Sequence, residues 1–384
     1  ETKVMKKILL GTTAIVAAGM IVSAPSAIAA EKIKLSIGGY MEQWFGFVSN
    51  DDGEGNDNVS ARQDFSGFDV KSDAEIHFKG STKLDNGITV GVNVQLEGNS
   101  NPGDQIDESY IIVKGAFGEI NIGSENSAMY KMNYAPSEFG IGINSGDQTQ
   151  WLSTVADASG DSISEGGYFR APFGSTYIEP VRANDSEKIT YYTPRIEGFQ
   201  LGLSYSPDTA QDSNSQPNRD AVDSDLVMAG LNFNRTFGSG PFGSTNFKAS
   251  LGYGTVLDEV SGSGTNASAF NAGIGLGIGG FGVGVAFSSY SDSGANDGSG
   301  LNAGVNYSTG PWGVSLSYFH GQKDGTGNGS TTDGQGEQDT FMLSGKYALG
   351  PGVTAAGSLA HSSFTSDDVD LDAGAQEVDE IGRA

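Results

Sequence analysis

Between residues 88 and 97 apolar and polar side chains alternate without a break. Ile88, Val90, Val92, Val94 and Leu96 fall on one set of alternate positions, and Thr89, Gly91, Asn93, Gln95 and Glu97 on the other. Successive Cβ atoms of a strand point to opposite faces, so this pattern predicts a strand with one apolar and one polar face. Asp85-Asn86-Gly87 in front of it is a tight-hairpin signal. Before that turn, Ala74, Ile76 and Phe78 alternate with Glu75, His77, Lys79 and Lys83. The same grammar recurs at Phe199–Tyr205, Val227–Phe233, Phe247–Tyr253, Ala272–Ile278, Phe281–Phe287, Leu301–Tyr307 and Trp312–Tyr318.

The connections between these runs alternate in length. Short turns fall at 85–87, 115–118, 194–198, 238–244, 279–280, 309–311 and 350–352. Long polar stretches fall at 49–67, 99–105, 126–186, 207–224, 258–266, 292–298, 323–337 and 365–377. Two-faced strands joined by alternating short and long connections are the pattern of a transmembrane barrel. Fifteen strands can be counted, with the opening of a sixteenth at 378–384. Bacterial single-chain barrels have even strand numbers, so the last strand is read as cut short. The expected fold is therefore all-β, a sixteen-stranded antiparallel barrel.

The lipid environment explains this combination. Hydrocarbon offers no hydrogen bonds, so a sheet inside it must close on itself. A soluble sandwich of this size would need a second apolar face, whereas here the second face is Lys, Gln, Asn, Ser and Gly. Aromatics near strand ends suit interfacial girdles: Phe45, Phe47, Tyr205, Phe237, Tyr253, Tyr290, Tyr307, Trp312 and Tyr318.

The first 29 residues read differently. Lys6 and Lys7 precede an apolar run from Ile8 to Val22, and Ala27-Ile28-Ala29 is a small-x-small cleavage site. This is the layout of a secretory leader, with a few residues upstream of Met5. Residues 30–384 are expected to form one domain. The chain's net charge is −26; removing residues 1–29 takes away one acid and three bases and leaves −28.

Composition excludes several classes. There is no cysteine, hence no disulfide and no thiolate metal site. Strong acidity argues against nucleic acid. His77, His320 and His361 match no metal spacing. Gly275-Leu276-Gly277-Ile278-Gly279-Gly280 spells a dinucleotide pattern but sits inside a period-two strand with no helix after it. Asp324–Gly329 resembles the start of a calcium loop, yet Gln335 stands where the loop needs glutamate. Acidic stretches such as 51–57 are the weak remaining place for calcium, and otherwise no cofactor is expected. No G-x-S-x-G motif occurs, and the chain is not expected to be an enzyme.

Four stretches carry a family resemblance: Asp107–Gly118, Ile122–Asn126, Ile189–Arg195 with Gly198–Leu201, and Tyr347–Thr354. Together they resemble the general bacterial porins of the alphaproteobacterial type. The resemblance implies a trimeric, water-filled pore in the outer membrane, in contact with lipid and lipopolysaccharide and passing small hydrophilic solutes. It also implies that 126–186 folds into the barrel and narrows it, and a connection of about sixty residues is long enough to need a function. Such chains usually end in an aromatic residue, whereas this one ends Glu380-Ile381-Gly382-Arg383-Ala384.

Within that loop Pro136–Gly140 resembles the family's acidic tip, which makes Glu138, Asp147, Asp157 and Asp161 the expected constriction acids. The expected basic groups are Lys71, His77, Lys79 and Lys83 on the second strand, Lys188 on the strand after the loop, and Arg170 and Arg182 within it. Opposed acidic and basic walls would set a transverse field across the passage, and the acid excess predicts a mild cation preference. Two alternatives stand beside the general pore. One is a porin selective for sugar or phosphate, with Tyr130, Tyr134, Trp151, Phe169 and Tyr177 as a sugar track. The other is a non-conducting structural barrel.

Overall fold

The computed structural model describes residues 32–50, 67–99, 105–151, 174–210, 216–240, 243–258, 260, 266–291, 297–324, 335–366 and 376–383. The strands are β1 (Lys34–Asn50), β2 (Phe68–Lys83), β3 (Thr89–Glu97), β4 (Ile106–Gly115), β5 (Gly118–Ser124), β6 (Glu187–Tyr192), β7 (Phe199–Asp208) and β8 (Ser224–Gly240). They continue as β9 (Gly243–Asp258), β10 (Ser268–Ile278), β11 (Phe281–Ser291), β12 (Gly298–Thr309), β13 (Trp312–Asp324), β14 (Gln335–Gly350), β15 (Val353–Ser366) and β16 (Gln376–Arg383). Each pairs antiparallel with its neighbours in sequence, and β16 pairs with β1 from Phe45↔Arg383 to Asn50↔Val378, so the sheet closes into a barrel. All seven short turns and all eight long connections fall where the alternation predicts them, within a few residues.

The barrel is apolar outside and polar inside, the reverse of a soluble protein. Leu35 and Ile37 on β1 are 82% and 75% exposed, and Ile274, Val305, Leu316 and Phe341 face outward in the same way. Ser204, Asn232, Asn271, Ser288 and Gln338, on the inward face, are buried. An exposed apolar band of this extent is stable only against hydrocarbon.

Aromatic pairs gather toward both ends of that band. Phe199–Phe233, Phe281–Tyr307 and Trp312–Tyr347 stack at 4.7, 4.4 and 4.4 Å between ring centroids toward the short-turn end. Phe47–Phe68 and Tyr318–Phe341 do so at 5.1 and 4.6 Å toward the long-loop end. Tyr290 departs from the expected girdle. Its position on β11 has inward parity, and its hydroxyl accepts a hydrogen bond from the Val181 amide at 3.3 Å.

Candidate functional site

The described parts of the long connection between β5 and β6, residues 125–151 and 174–186, run inside the barrel. Its described part contains a single helical turn, α1 (Ala128–Lys131), and short 3-10 turns at Asp147–Trp151 and Pro180–Arg182. Its two roots are knotted together. Lys188 Nζ donates to the carbonyls of Glu125, the first residue of the connection, and of Asn184 (2.9 Å) and Ser186 (2.6 Å) at its end. This corrects the expected role of Lys188. It is 2% exposed and spends its charge on backbone carbonyls, so it is a tie between the loop's ends and not part of the pore wall.

Beside this knot, the fully buried Glu125 pairs with Lys131 at 2.5 Å. Burial pushes the Glu125 carboxyl above its ordinary value, against the pull of Lys131. Glu108 Oε1 accepts from the backbone and side-chain amides of Asn126 at 3.1 and 2.8 Å. Glu179 Oε1 accepts from the Ser127 amide at 2.5 Å.

From its root the loop is laid along the inner wall, held at nearly every strand it crosses. Ser204 on β7 accepts from the Ala128 amide at 2.9 Å. Asn232 on β8 donates to the Met132 carbonyl and Asn271 on β10 to that of Met129, both at 3.2 Å. Ser250 on β9 accepts from the Tyr134 amide at 2.9 Å. Further on, Asn306 on β12 donates to the Ser137 carbonyl, Ser315 on β13 accepts from the Phe139 amide, and Ser358 on β15 accepts from the Ile141 amide. The return leg touches β11, where Ser288 donates to the Ser175 carbonyl at 3.1 Å.

Small wall residues make room for this. A Cβ at Gly304 would stand 2.9 Å from Pro136 Cβ, and one at Gly273 would overlap the Tyr134 carbonyl oxygen. The glycine excess of the lumen face is thus largely the footprint of the loop. The outward and return legs are cross-linked: Asn144 Nδ2 donates to Thr176 Oγ1, and the Thr176 amide donates back to Asn144 Oδ1, both at 2.8 Å.

Among the described residues, the expected acidic loop and basic wall are not found facing one another. Glu138 turns back into its own loop, where Oε1 accepts from the amides of Ile143 (3.0 Å) and Asn144 (3.4 Å) and Oε2 is buried without a hydrogen-bond partner among the described residues. Burial pushes its carboxyl up to about 7. Glu138 is therefore a clasp of the loop tip and not a charge presented to the passage. Asp147 is half-buried and accepts from Ser145 Oγ at 2.5 Å. Asp157, Asp161 and Arg170 lie outside the described residues, as do Phe169 and the stretch 51–57.

On β2, Lys79 and Lys83 are exposed on the inward face as expected. Lys71 is paired with Asp69 at 2.7 Å and lies 5.2 Å from the Trp151 ring centroid, and His77 sits 2.6 Å from Glu75. Arg182 is exposed where its 3-10 turn meets β9 and β10, with its backbone in the left-handed region (φ 54°).

The expected basic wall is thus a mixed one. The inward parity of β2 that carries Lys71, His77, Lys79 and Lys83 also carries Asp69, Asp73 and Glu75. Glu42 joins them from β1, and Tyr40 donates to both Asp73 (3.0 Å) and Glu75 (2.9 Å). The loop's hydrogen-bonded anchors run from β7 to β15, and Trp151 reaches Gly46 on β1 and Lys71 on β2, while the inward faces of β1 and β2 keep exposed charges at Glu42, Asp69, Asp73, Lys79 and Lys83.

The family model for Gram-negative porins matches residues 11–367. The chain belongs to the Gram-negative porin family. That membership and the barrel place it in the outer membrane, among non-enzymatic proteins. The fold is similar to that of an anion-selective porin from Comamonas acidovorans, with TM-score 0.57 and 16% identity over 91% of this chain and 98% of the other. It is also similar to the trimer form of OmpT from Vibrio cholerae, with TM-score 0.54 and 11% identity over 92% and 99% of the two chains. A third likeness is Salmonella typhi OmpF in complex with daunomycin, with TM-score 0.52 and 13% identity over 91% and 97%. Among curated proteins, an uncharacterized protein of Rickettsia bellii is 25% identical over 156 residues, 38% of this chain and 35% of that one. An uncharacterized Rickettsia conorii protein is 24% identical over 129 residues, 32% and 29%. The alignments thus span about a third of the length of these curated relatives.

In this porin the described loop aromatics pack rather than line a track. Tyr130 and Tyr177 stack at 5.4 Å, Trp151 is buried against Gly46, and Tyr134 and Phe139 lie beneath lysines. Those lysines are Lys248 on β9, 5.5 Å from the Tyr134 ring centroid, and Lys346 on β14, 4.0 Å from that of Phe139. Neither was singled out from sequence, although parity was a sufficient signal. Lys248 alternates with the outward Phe247 and Ala249, and Lys346 with Leu343, Gly345 and Tyr347 on the opposite face. The same parity applied to β1 and β2 reveals Glu42, Asp69 and Asp73.

Proposed function

We propose that this porin is a passive diffusion channel for ions and small hydrophilic solutes, mildly cation-selective, and working as a homotrimer amid outer-membrane lipid and lipopolysaccharide. Residues 1–29 serve as its export leader, and no cofactor takes part. The observation that carries the reading is the layout of the lumen. The loop is fastened along one arc of the wall, while Glu42, Asp69, Asp73, Lys79 and Lys83 on the other arc stay exposed to water. Charged side chains opposite a fastened constriction suit hydrated solutes and repel apolar ones. The cation preference follows from the acids Glu42, Asp69, Asp73 and Glu75 toward the long-loop end of β1 and β2, and from the acidic long connections.

Bilayer recording on the full chain tests it. Stable ohmic steps are expected at 1 M KCl, with a reversal potential in a KCl gradient whose sign marks potassium as the favoured ion. A barrel that inserts but passes no current would overturn the channel reading, and a chloride-dominated potential would overturn the selectivity. Heat-sensitive migration on gels, collapsing to a single-chain band on boiling, is expected of the trimer.

A further inference from the structure

The charges on the lumen face are sorted along the pore axis. Barrels of this class carry short turns on the periplasmic side and long loops outside. The inward basic residues near the short turns include Lys79 and Lys83 on β2, Lys114 on β4, Lys248 on β9 and Lys346 on β14. Each lies within about six residues of its turn. Lys114 is answered by Glu119 at 3.0 Å. For Lys79, Lys83, Lys248 and Lys346, no carboxylate among the described residues lies within ion-pair distance; Lys248 and Lys346 rest on the aromatic faces of Tyr134 and Phe139, which hold their positions without neutralising them. The acids of the short turns do not reverse this: Glu197 is paired with Arg235 at 2.9 Å, and Asp85 sits in its turn. Toward the long-loop end, Glu42, Asp69, Asp73 and Glu75 face inward with Lys71, itself paired to Asp69.

We propose that the periplasmic vestibule is an anion-attracting mouth for polyvalent anionic solutes, such as phosphorylated or polycarboxylate metabolites, in series with a cation-attracting outer vestibule. The inference rests on the reading of an open channel. Two oppositely charged sections in series rectify. When the long-loop side is positive, cations enter through the acidic section and anions through the basic one, so both accumulate where the sections meet and current rises. When the voltage is reversed, both are drained from that junction and current falls. The sections act on ions within about 10 Å at 0.1 M salt and only about 3 Å at 1 M, so the effect belongs to low salt.

The test uses the full chain inserted in one orientation, with inorganic tripolyphosphate as probe. At 0.1 M KCl, current should be larger with the long-loop side positive, and the curve should become linear at 1 M. Tripolyphosphate should block from the short-turn side at lower concentration than from the long-loop side. Replacing Lys79, Lys248 and Lys346 by Gln together should weaken that block by about tenfold or more, whereas Lys71→Gln should leave it unchanged. Symmetric block, or block untouched by the triple change, overturns the proposal. A barrel that passes no current overturns the channel reading instead. In that case calorimetric binding of tripolyphosphate to the detergent-folded protein still decides the vestibule: binding lost in the triple variant supports it, and no binding overturns it.

Discussion

Ser250 Oγ lies 2.9 Å from the backbone nitrogen of Tyr134, accepting its hydrogen, and 3.1 Å from Asn133 Oδ1, to which it donates. One wall serine thus fixes two consecutive residues of a loop more than a hundred positions away in sequence. Ser250→Ala removes both bonds and leaves a half-buried amide without this acceptor, a loss of about 1 kcal/mol. The loop should open locally and not the barrel. Limited proteolysis should cut within 126–151 faster, while the heat-sensitive gel shift stays as it was.

A second prediction separates steric fit from strand propensity. A side chain at Gly273 would collide with the Tyr134 backbone carbonyl, whereas one at Gly275, two residues along the same inward face, meets only ordinary contacts at 3.8 and 3.9 Å. Gly273→Val should therefore displace the loop and raise conductance noise, and Gly275→Ala should be silent. Equal effects from the two changes would show that the wall glycines serve the strand and not the loop.

These two sites show why the barrel was legible in the sequence and the lumen only partly so. Strand parity is local: Ile88 to Leu96 declare their face by spacing alone, and the turn Asp85-Asn86-Gly87 fixes the register. The destination of Glu138 is not local. Whether it faces the passage or its own loop depends on the amides of Ile143 and Asn144, whose direction is set by anchors on β13 and β15. Lys188 fails in the same way. Its inward parity was readable, but the carbonyls that close over it come from residues 63 and 4 positions off. Composition misled on β2, where attention to lysines passed over Asp69 and Asp73 on the same face.

Lys188 supplies a third prediction. Lys188→Met keeps the length and apolar stem of the side chain but strands two buried carbonyls and a half-buried one, at a cost on the order of 3 kcal/mol. The two roots of the loop should separate. Hydrogen exchange at Asn126–Ala128 and Ser186 should rise together in this variant, since both root segments lean on the same ammonium group. Exchange rising at one root alone would show that the knot is not shared.

Glu138 yields a pH prediction with a definite sign. Burial raises its carboxyl from 4.5 to about 7, against the stabilising amides of Ile143 and Asn144 and with the Asp147 charge adding to the rise. Between those two values the folded chain binds a proton that the unfolded chain releases, so stability falls as pH rises through this window. Below about 4.5 both states are protonated and the penalty is absent; above 7 it is complete, at about 3 kcal/mol or less. Glu138→Gln mimics the protonated acid, keeping an oxygen for the two amides. The variant should match the parent near pH 4.5 and melt at a higher temperature than the parent at pH 8. Melting curves of the two proteins in detergent across this range check it. Parallel curves would mean that the carboxylate finds solvent or a cation when ionised, and that the clasp at the loop tip carries no proton.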